Sequence, residues 1–189
     1  MTHTAAWQHD AQREETVRLG LWMFLATVAM LFAAFASAYI VRRSGTDWTR
    51  INLPPVLWLN TAVLVASSVL LEAGAWNGRR RRWLPAAVAL TLAWVFGLAF
   101  MGGQVRAWRE LMDAGVYLPA SPHSSFFYLL TGAHGLHVVA ALIVLAVATV
   151  RTWRHRDELA WQRLIGATRT FWHFLLAVWL FVFVLISAF

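Results

Sequence analysis

The feature that most constrains this chain is a series of five long apolar runs joined by short polar connections. A helix needs about 20 apolar residues to cross the hydrocarbon core of a bilayer. The runs are continuously apolar rather than alternating, which favours helices over the strands of an outer-membrane barrel. We therefore predict an all-α fold, a polytopic bundle of five transmembrane helices that forms a single membrane domain over residues 1–189. The predicted helices are residues 19–41, 54–76, 83–104, 124–150 and 171–189.

Composition excludes the other broad classes of protein. Hydrophobic residues make up 60% of the chain and charged residues 13%, whereas an ordinary soluble domain is about 25% charged. A soluble fold of this length cannot hide so many apolar side chains, and disordered chains are polar. The sixteen basic residues are all arginines lying between the runs, which favours membrane topology and anionic headgroups over nucleic acid as their role. Without cysteine, the chain has no thiolate metal site of its own.

The distribution of arginine predicts the orientation, because cytoplasmic connections collect basic residues. Eleven arginines precede the first run or lie in the second and fourth connections, against five in the first and third. We expect a cytoplasmic N-terminus and a periplasmic C-terminus. A signal peptide is the alternative for the first run, because Ala36-Ser37-Ala38 resembles a cleavage site. The run is longer than a signal core and its flank is not basic, so a retained helix is expected.

Small residues recur every fourth position in two of the runs. Ala29, Ala33 and Ser37 form one stripe, and Ala89, Ala93 and Gly97 form the other. Such stripes let helix backbones approach closely in a membrane. The alternative, that alanine is simply frequent in these segments, stays open.

Polar side chains inside apolar runs are costly and are the first candidates for function. They are Asn60, Glu72, Gln104, His134, His137 and His173. Glu72 lies a turn or two before Arg79 to Arg82, which favours a snorkelling carboxylate paired with an arginine over a proton relay.

The histidines suggest a metal or haem site at first sight. His134 and His137 lie three residues apart on one helix face, which suits two ligands. With the predicted helix ends, however, His137 lies at mid-span and His173 near the start of the last helix, about 15 Å different in depth. One metal holding all three is not expected, and hydrogen bonds to neighbouring helices or lipid headgroups are favoured. The other histidines, His3, His9, His123 and His155, are placed in tails or connections.

The residues alone leave several functions open. The sequence has no glycine-rich phosphate loop, no nucleophile elbow and no intramembrane acid–base pair, so no catalytic, cofactor or metal residue is predicted. A histidine-ligated membrane haem protein and a small transporter are alternatives, although the broken helices or midplane charges of a transporter are not evident.

Four stretches resemble subunit III of the haem-copper (cytochrome c) oxidases, in the short bacterial form with five helices. They are residues 18–43, 53–75, 131–147 and 171–189, and they occur in the order of the family. The specific elements are HGLHV at residues 134–138 and WHF with VWLF at residues 172–174 and 178–181.

This resemblance implies a non-redox subunit of the bacterial inner (plasma) membrane. Its partners would be the catalytic subunit I, which carries haem and copper, with subunit II and possible further subunits of a larger respiratory assembly. It would bind structural phospholipids between helices, support proton uptake into the catalytic subunit and slow its inactivation. The resemblance implies structural or lipid-contacting roles for His134, His137, Trp172 and His173, and we add Glu72 as a fifth candidate.

Three departures from the family weaken any proton relay through this chain. Many members have carboxylates where Val28, Ala107 and Leu176 stand here. Scaffolding, lipid retention and shaping of the proton entrance of the catalytic subunit are therefore favoured. An accessory subunit of a quinol oxidase or a nitric-oxide reductase is the alternative within the family.

Overall fold

A computed structural model describes the backbone of residues 2–49, 51–154 and 158–188, with side chains from Glu15 onward. Every regular element within these ranges is an α-helix. The helices are α1 (Thr2–Arg42), α2 (Val56–Arg79), α3 (Trp83–Asp113), α4 (Pro122–Arg154) and α5 (Glu158–Ala188). Each helix contains a stretch long and apolar enough to cross a membrane. The predicted all-α, five-helix membrane fold is confirmed.

The helices extend beyond the predicted spans, because backbone hydrogen bonding does not stop where side chains become polar. α3 continues to Asp113 rather than ending at residue 104, and α5 begins at Glu158 rather than at residue 171. The connection predicted over residues 151–170 was therefore wrong. In the described part of that segment, residues 151–154 and 158–170 are helical.

Helices α2 to α5 form a ring in which each helix packs on its two neighbours, with the closest pairing between α2 and α3. Consecutive helices run antiparallel, so the ring has two ends. We call the end with the α2–α3 and α4–α5 connections the arginine-rich end, because it carries Arg79 to Arg82. α1 packs outside the ring, on α4 and α5.

The face of α1 that packs on the ring is not the predicted small-residue stripe. The buried residues of α1 are Leu25, Val28, Phe32, Ala36 and Tyr39, which recur at the three- and four-residue spacing of one helix face. Ala29, Ala33 and Ser37 are exposed. The sequence left the role of this stripe open; in the structure it lies on the exposed surface, and the large side chains of α1 make the contacts with α4 and α5.

Two of the three residues of the stripe on α3 pack inside the ring. Ala93 and Gly97 are buried, whereas Ala89 is partly exposed. A Cβ atom placed on Gly97 would lie 2.7 Å from atoms of both Leu142 and Trp172. Gly97 thus allows α4 and α5 to approach the backbone of α3, which agrees with the first of the two interpretations of the spacing.

His123 anchors the connection after α1 to the start of α4. Its ring is buried and stacks on Trp48 at 4.9 Å between centroids. The backbone N–H of Ile51 donates to Nδ1 at 3.2 Å, and Nε2 lies 3.3 Å from the hydroxyl of Tyr39. Placing His123 in a connection was wrong, because it lies within α4 and its side chain holds the connection in place. His3, His9 and His155 lie outside the described side chains.

We predict that Gly97→Ala lowers the thermal stability of the purified protein, because the added methyl group has no space between Leu142 and Trp172. Overpacking of this kind costs about 1–3 kcal/mol. Gly102→Ala on the same helix is the matched control, since a Cβ atom there meets nothing within 4 Å. Equal melting temperatures for the two variants would contradict the close packing at Gly97.

Candidate functional site

The candidate site residues lie in three separate environments, and the first is an ionic cluster between α2 and α5. Arg169 donates from Nε to Oε1 of Glu72 at 2.8 Å and from its terminal nitrogen to Oε2 at 2.6 Å. His173 lies with Nε2 3.4 Å from Oε1 of the same carboxylate. Its Nδ1–H donates to the carbonyl of Arg169 at 2.7 Å. The glutamate and the histidine are about two-fifths exposed and the arginine one-quarter, so the cluster lies at the outer surface of the bundle.

The prediction that Glu72 pairs with an arginine is confirmed. The arginine is not one of Arg79 to Arg82, which lie nearest to Glu72 in the sequence. Arg169 supplies the pair from another helix, 97 positions along the chain. Sequence reasoning missed it because residue 169 was placed in a connection. The signal was present in the spacing, since Arg169 and His173 are four residues apart and share a helix face.

His134 lies in the second environment, the interior of the ring. It is fully buried and surrounded by aromatic rings. The nearest centroids are those of Trp179 at 5.1 Å, Phe100 at 5.9 Å and Phe32 at 6.4 Å. Neither ring nitrogen has a hydrogen-bond partner among the residues that the structure describes, so the expected bond to a neighbouring helix does not form there.

His137 lies in the third environment, under α1. Its Nδ1–H donates to the carbonyl of Ala133 on its own helix at 2.7 Å. The ring packs against Phe32 and Phe24 of α1, at 5.9 and 6.4 Å between centroids. The hydrogen bond thus stays within α4, while the contact with α1 is aromatic.

Trp172 is buried one turn along α5 from Arg169. Its six-membered ring packs on the backbone of α3 at Gly97. This position makes Trp172 a packing residue between α5 and α3.

The three histidines are separated more by direction than by depth. Trp161 on α5 donates Nε1–H to the hydroxyl of Thr152 on α4 at 2.7 Å, which places these two residues at one level. His137 lies 15 residues from Thr152 and His173 lies 12 residues from Trp161, a difference in depth of about 5 Å. The predicted difference of about 15 Å was wrong, because α5 begins earlier than the apolar run. The described residues include no group of three metal-ligating side chains, since the histidines face the ring interior, α1 and Glu72.

A cavity of about 930 Å³ opens at the end opposite the arginine-rich end, between the end of α1 and the start of α4. Arg42 and Asp47 line it and form an ion pair. The guanidinium hydrogen bonds hold the pKa of Asp47 below its usual value. The predicted site residues are not among those that line this cavity.

Comparison with known proteins assigns this architecture. A family model described as cytochrome c oxidase subunit III matches residues 1–189, the whole chain. This chain belongs to the cytochrome c oxidase subunit III family.

Relatives within the subunit III family align over nearly their full length. "Probable cytochrome c oxidase subunit 3" of Mycobacterium tuberculosis is 32% identical over 190 residues, covering 94% of this chain and 90% of the relative. The protein of the same name from Nocardia farcinica is 30% identical, with 93% and 89% covered. "Cytochrome bo(3) ubiquinol oxidase subunit 3" of Pseudomonas aeruginosa is 27% identical, with 97% and 91% covered.

The positions where the resemblance implied carboxylates are apolar packing positions in this subunit III. Val28 lies on the packing face of α1, and Ala107 is fully buried in α3. Leu176 is partly buried and packs against the core. None of the three contributes a titratable group.

We predict that Glu72→Leu destabilises the complex more than the double substitution Glu72→Leu with Arg169→Leu. The single substitution leaves a partly buried guanidinium without its carboxylate, whereas the double substitution removes both charges. Because the pair is partly exposed, we expect a difference of about 1 kcal/mol, read as thermal stability.

The exposed pair Arg106 and Glu110 on α3, joined at 2.8 Å, is the matched control. Glu110→Leu alone and Glu110→Leu with Arg106→Leu are expected to melt alike. A Glu72→Leu variant that melts no lower than the double variant would contradict a stabilising role for the pair.

Proposed function

We propose that this chain is the non-catalytic subunit III of a bacterial respiratory haem-copper oxidase in the inner membrane, with its N-terminus in the cytoplasm. The observation that carries the proposal is the match of the whole chain to the subunit III family. Membership of that family implies assembly with other oxidase subunits. The bacterial relatives and the excess of arginine at one end of the ring support the location and the orientation.

The partners we propose are the catalytic subunit I, which carries haem and copper, together with subunit II. The outward face of α1 suits contact with another membrane helix, because Ala29, Ala33 and Ser37 are exposed there and small residues permit close approach. Helix α1 rests on the ring by one face only, so a neighbouring chain or lipid must cover the other. We infer that an adjacent subunit with additional helices covers it.

We also propose that structural phospholipids bind beside α1. Arg18, on the part of α1 nearest the arginine-rich end, is exposed and suits an anionic headgroup. The aromatic side chains of Trp22 and Phe24 on α1 are exposed and offer contact area to acyl chains.

The role we propose in proton uptake is indirect. Glu72 is engaged by two nitrogens of Arg169, which favours a fixed charge pair over a group that gains and loses protons. Subunit III would then shape the surroundings of the proton entrance on subunit I without carrying protons itself.

Two classes of oxidase fit the proposal. The mycobacterial and Nocardia relatives bear cytochrome c oxidase names, which favours a cytochrome c oxidase. The Pseudomonas relative bears the name of a ubiquinol oxidase subunit, and it supports a quinol oxidase as the second candidate.

The experiment that tests the proposal is purification in mild detergent through a tag on this chain. We expect the haem spectrum of an oxidase, co-purifying subunits I and II, and retained phospholipids that differ from the bulk membrane. Oxidation of reduced cytochrome c against that of a quinol then separates the two candidates. Isolated chain that binds haem by itself would contradict the proposal. A complex with only bulk lipid beside residues 18–41 would contradict both the adjacent subunit and the lipid site.

We further predict that Glu72→Gln slows oxidase turnover less than about twofold, because a relay residue would contribute far more, about a hundredfold or above. Oxygen consumption by the intact complex is the measurement. Arg106→Gln, at the exposed pair on α3, is the control for loss of a surface charge. A loss of about tenfold or more with all subunits present would restore the relay.

A further inference from the structure

The interior of the ring contains a layer of polar side chains to which the proposed function assigns no role. Asn60 of α2, Gln104 of α3 and His134 of α4 are exposed by only 3%, 2% and 0%. Within residues 2–49, 51–154 and 158–188, no hydrogen-bond partner reaches Nδ2 of Asn60, either polar atom of the Gln104 amide, or either ring nitrogen of His134. Buried polar atoms in proteins nearly always have a partner, from protein or from ordered water.

Contacts of its neighbours on α3 fix the level of Gln104. One turn before it, Phe100 lies 5.9 Å from the His134 ring, centroid to centroid. One turn after it, Trp108 donates Nε1–H to the hydroxyl of Thr131 at 3.1 Å. Because Thr131 and His134 are three residues apart on α4, about 4.5 Å of rise, Gln104 lies at a level between them.

Contacts on the other side of the ring place Asn60 in the same layer. Its amide occupies the space that a Cβ atom on Gly103 would fill. Gly103 is the residue that precedes Gln104 on α3. The next residue, Thr61, accepts the Nε1–H of Trp179 at 3.0 Å, and the Trp179 ring lies 5.1 Å from that of His134. All four helices of the ring therefore meet at this layer.

The donors and acceptors of the layer are complementary. The Gln104 amide offers two N–H groups and a carbonyl oxygen, Asn60 offers N–H groups, and a neutral imidazole offers one donor and one acceptor. A buried water molecule in a protein makes about three hydrogen bonds to groups of this kind. We propose that the layer binds a water molecule between the Gln104 amide and the His134 ring, with the Asn60 amide at its edge.

Bound water would give the His134 ring a defined tautomer and hold α3 against α4 at one register. Sliding one helix past the other would separate the two side chains and leave the water without its partners. The site depends only on the fold of this chain. A failure of the water site would leave membership of an oxidase complex untouched, and a failure of the oxidase proposal would leave the water site untouched.

The test is an experimental density map of the complete complex at a resolution that shows ordered water elsewhere in it. We expect a density peak within hydrogen-bond distance of the Gln104 amide and of one His134 ring nitrogen. A map that shows ordered water elsewhere but no peak in this layer would overturn the proposal. A direct hydrogen bond between Gln104 and His134 would also overturn it.

Substitutions add a second readout that does not depend on activity. We expect Gln104→Met and His134→Phe each to lower the melting temperature of the complex by several degrees and to remove the density peak. The melting temperature of the double variant should be no lower than that of either single variant, because each substitution removes hydrogen bonds of the same water molecule. Thr149→Val is the matched control, since that buried hydroxyl donates to the carbonyl of Leu145 on its own helix. A peak that persists in His134→Phe would overturn the assignment of His134 as a ligand, and if neither variant assembles, the unsubstituted map still decides.

Discussion

The constraint on which this structure depends is that the bilayer core offers no water to hydrogen-bond the backbone. Each crossing segment must satisfy its own N–H and C=O groups, so each becomes a helix, and the helices continue into the polar flanks. The early start of α5 at Glu158 follows from this continuity. It also sets the level at which α5 meets its neighbours, bringing Arg169 to Glu72 and Trp179 to His134.

Two kinds of contact join the helices, namely close packing of the backbone and pairing of opposite charges. At Gly97 the backbone of α3 is near enough for Leu142 and Trp172 to rest on it, which gives dispersion contacts where lipid supplies no hydrophobic drive. At the surface, Glu72 and Arg169 neutralise each other between α2 and α5. A carboxylate or a guanidinium alone at such a position would be costly, so the pair connects two helices far apart in sequence.

An accessory role in an oxidase accords with the small number of ionisable groups within the helices. Positions where the resemblance implied carboxylates, such as Val28 and Ala107, are occupied by small apolar side chains buried against other helices. The buried polar side chains that the structure describes are amides, hydroxyl groups and imidazoles. The function we propose for such a subunit is to brace its neighbours through shape and fixed charge.

The sequence by itself determined the membrane class, the five helices and the family, because each is recorded in local runs or motifs. Only the tertiary structure decided the partner of Glu72, the three separate directions of the histidines and the burial of His123. It also decided between the two small-residue stripes: Gly97 packs inside the ring, whereas Ala29, Ala33 and Ser37 face outward while Phe32 and Tyr39 face the ring. The physical reason is that hydropathy records where a helix can lie in the membrane. The rotation of each helix, and therefore the neighbour that each side chain meets, follows from how all five helices pack together.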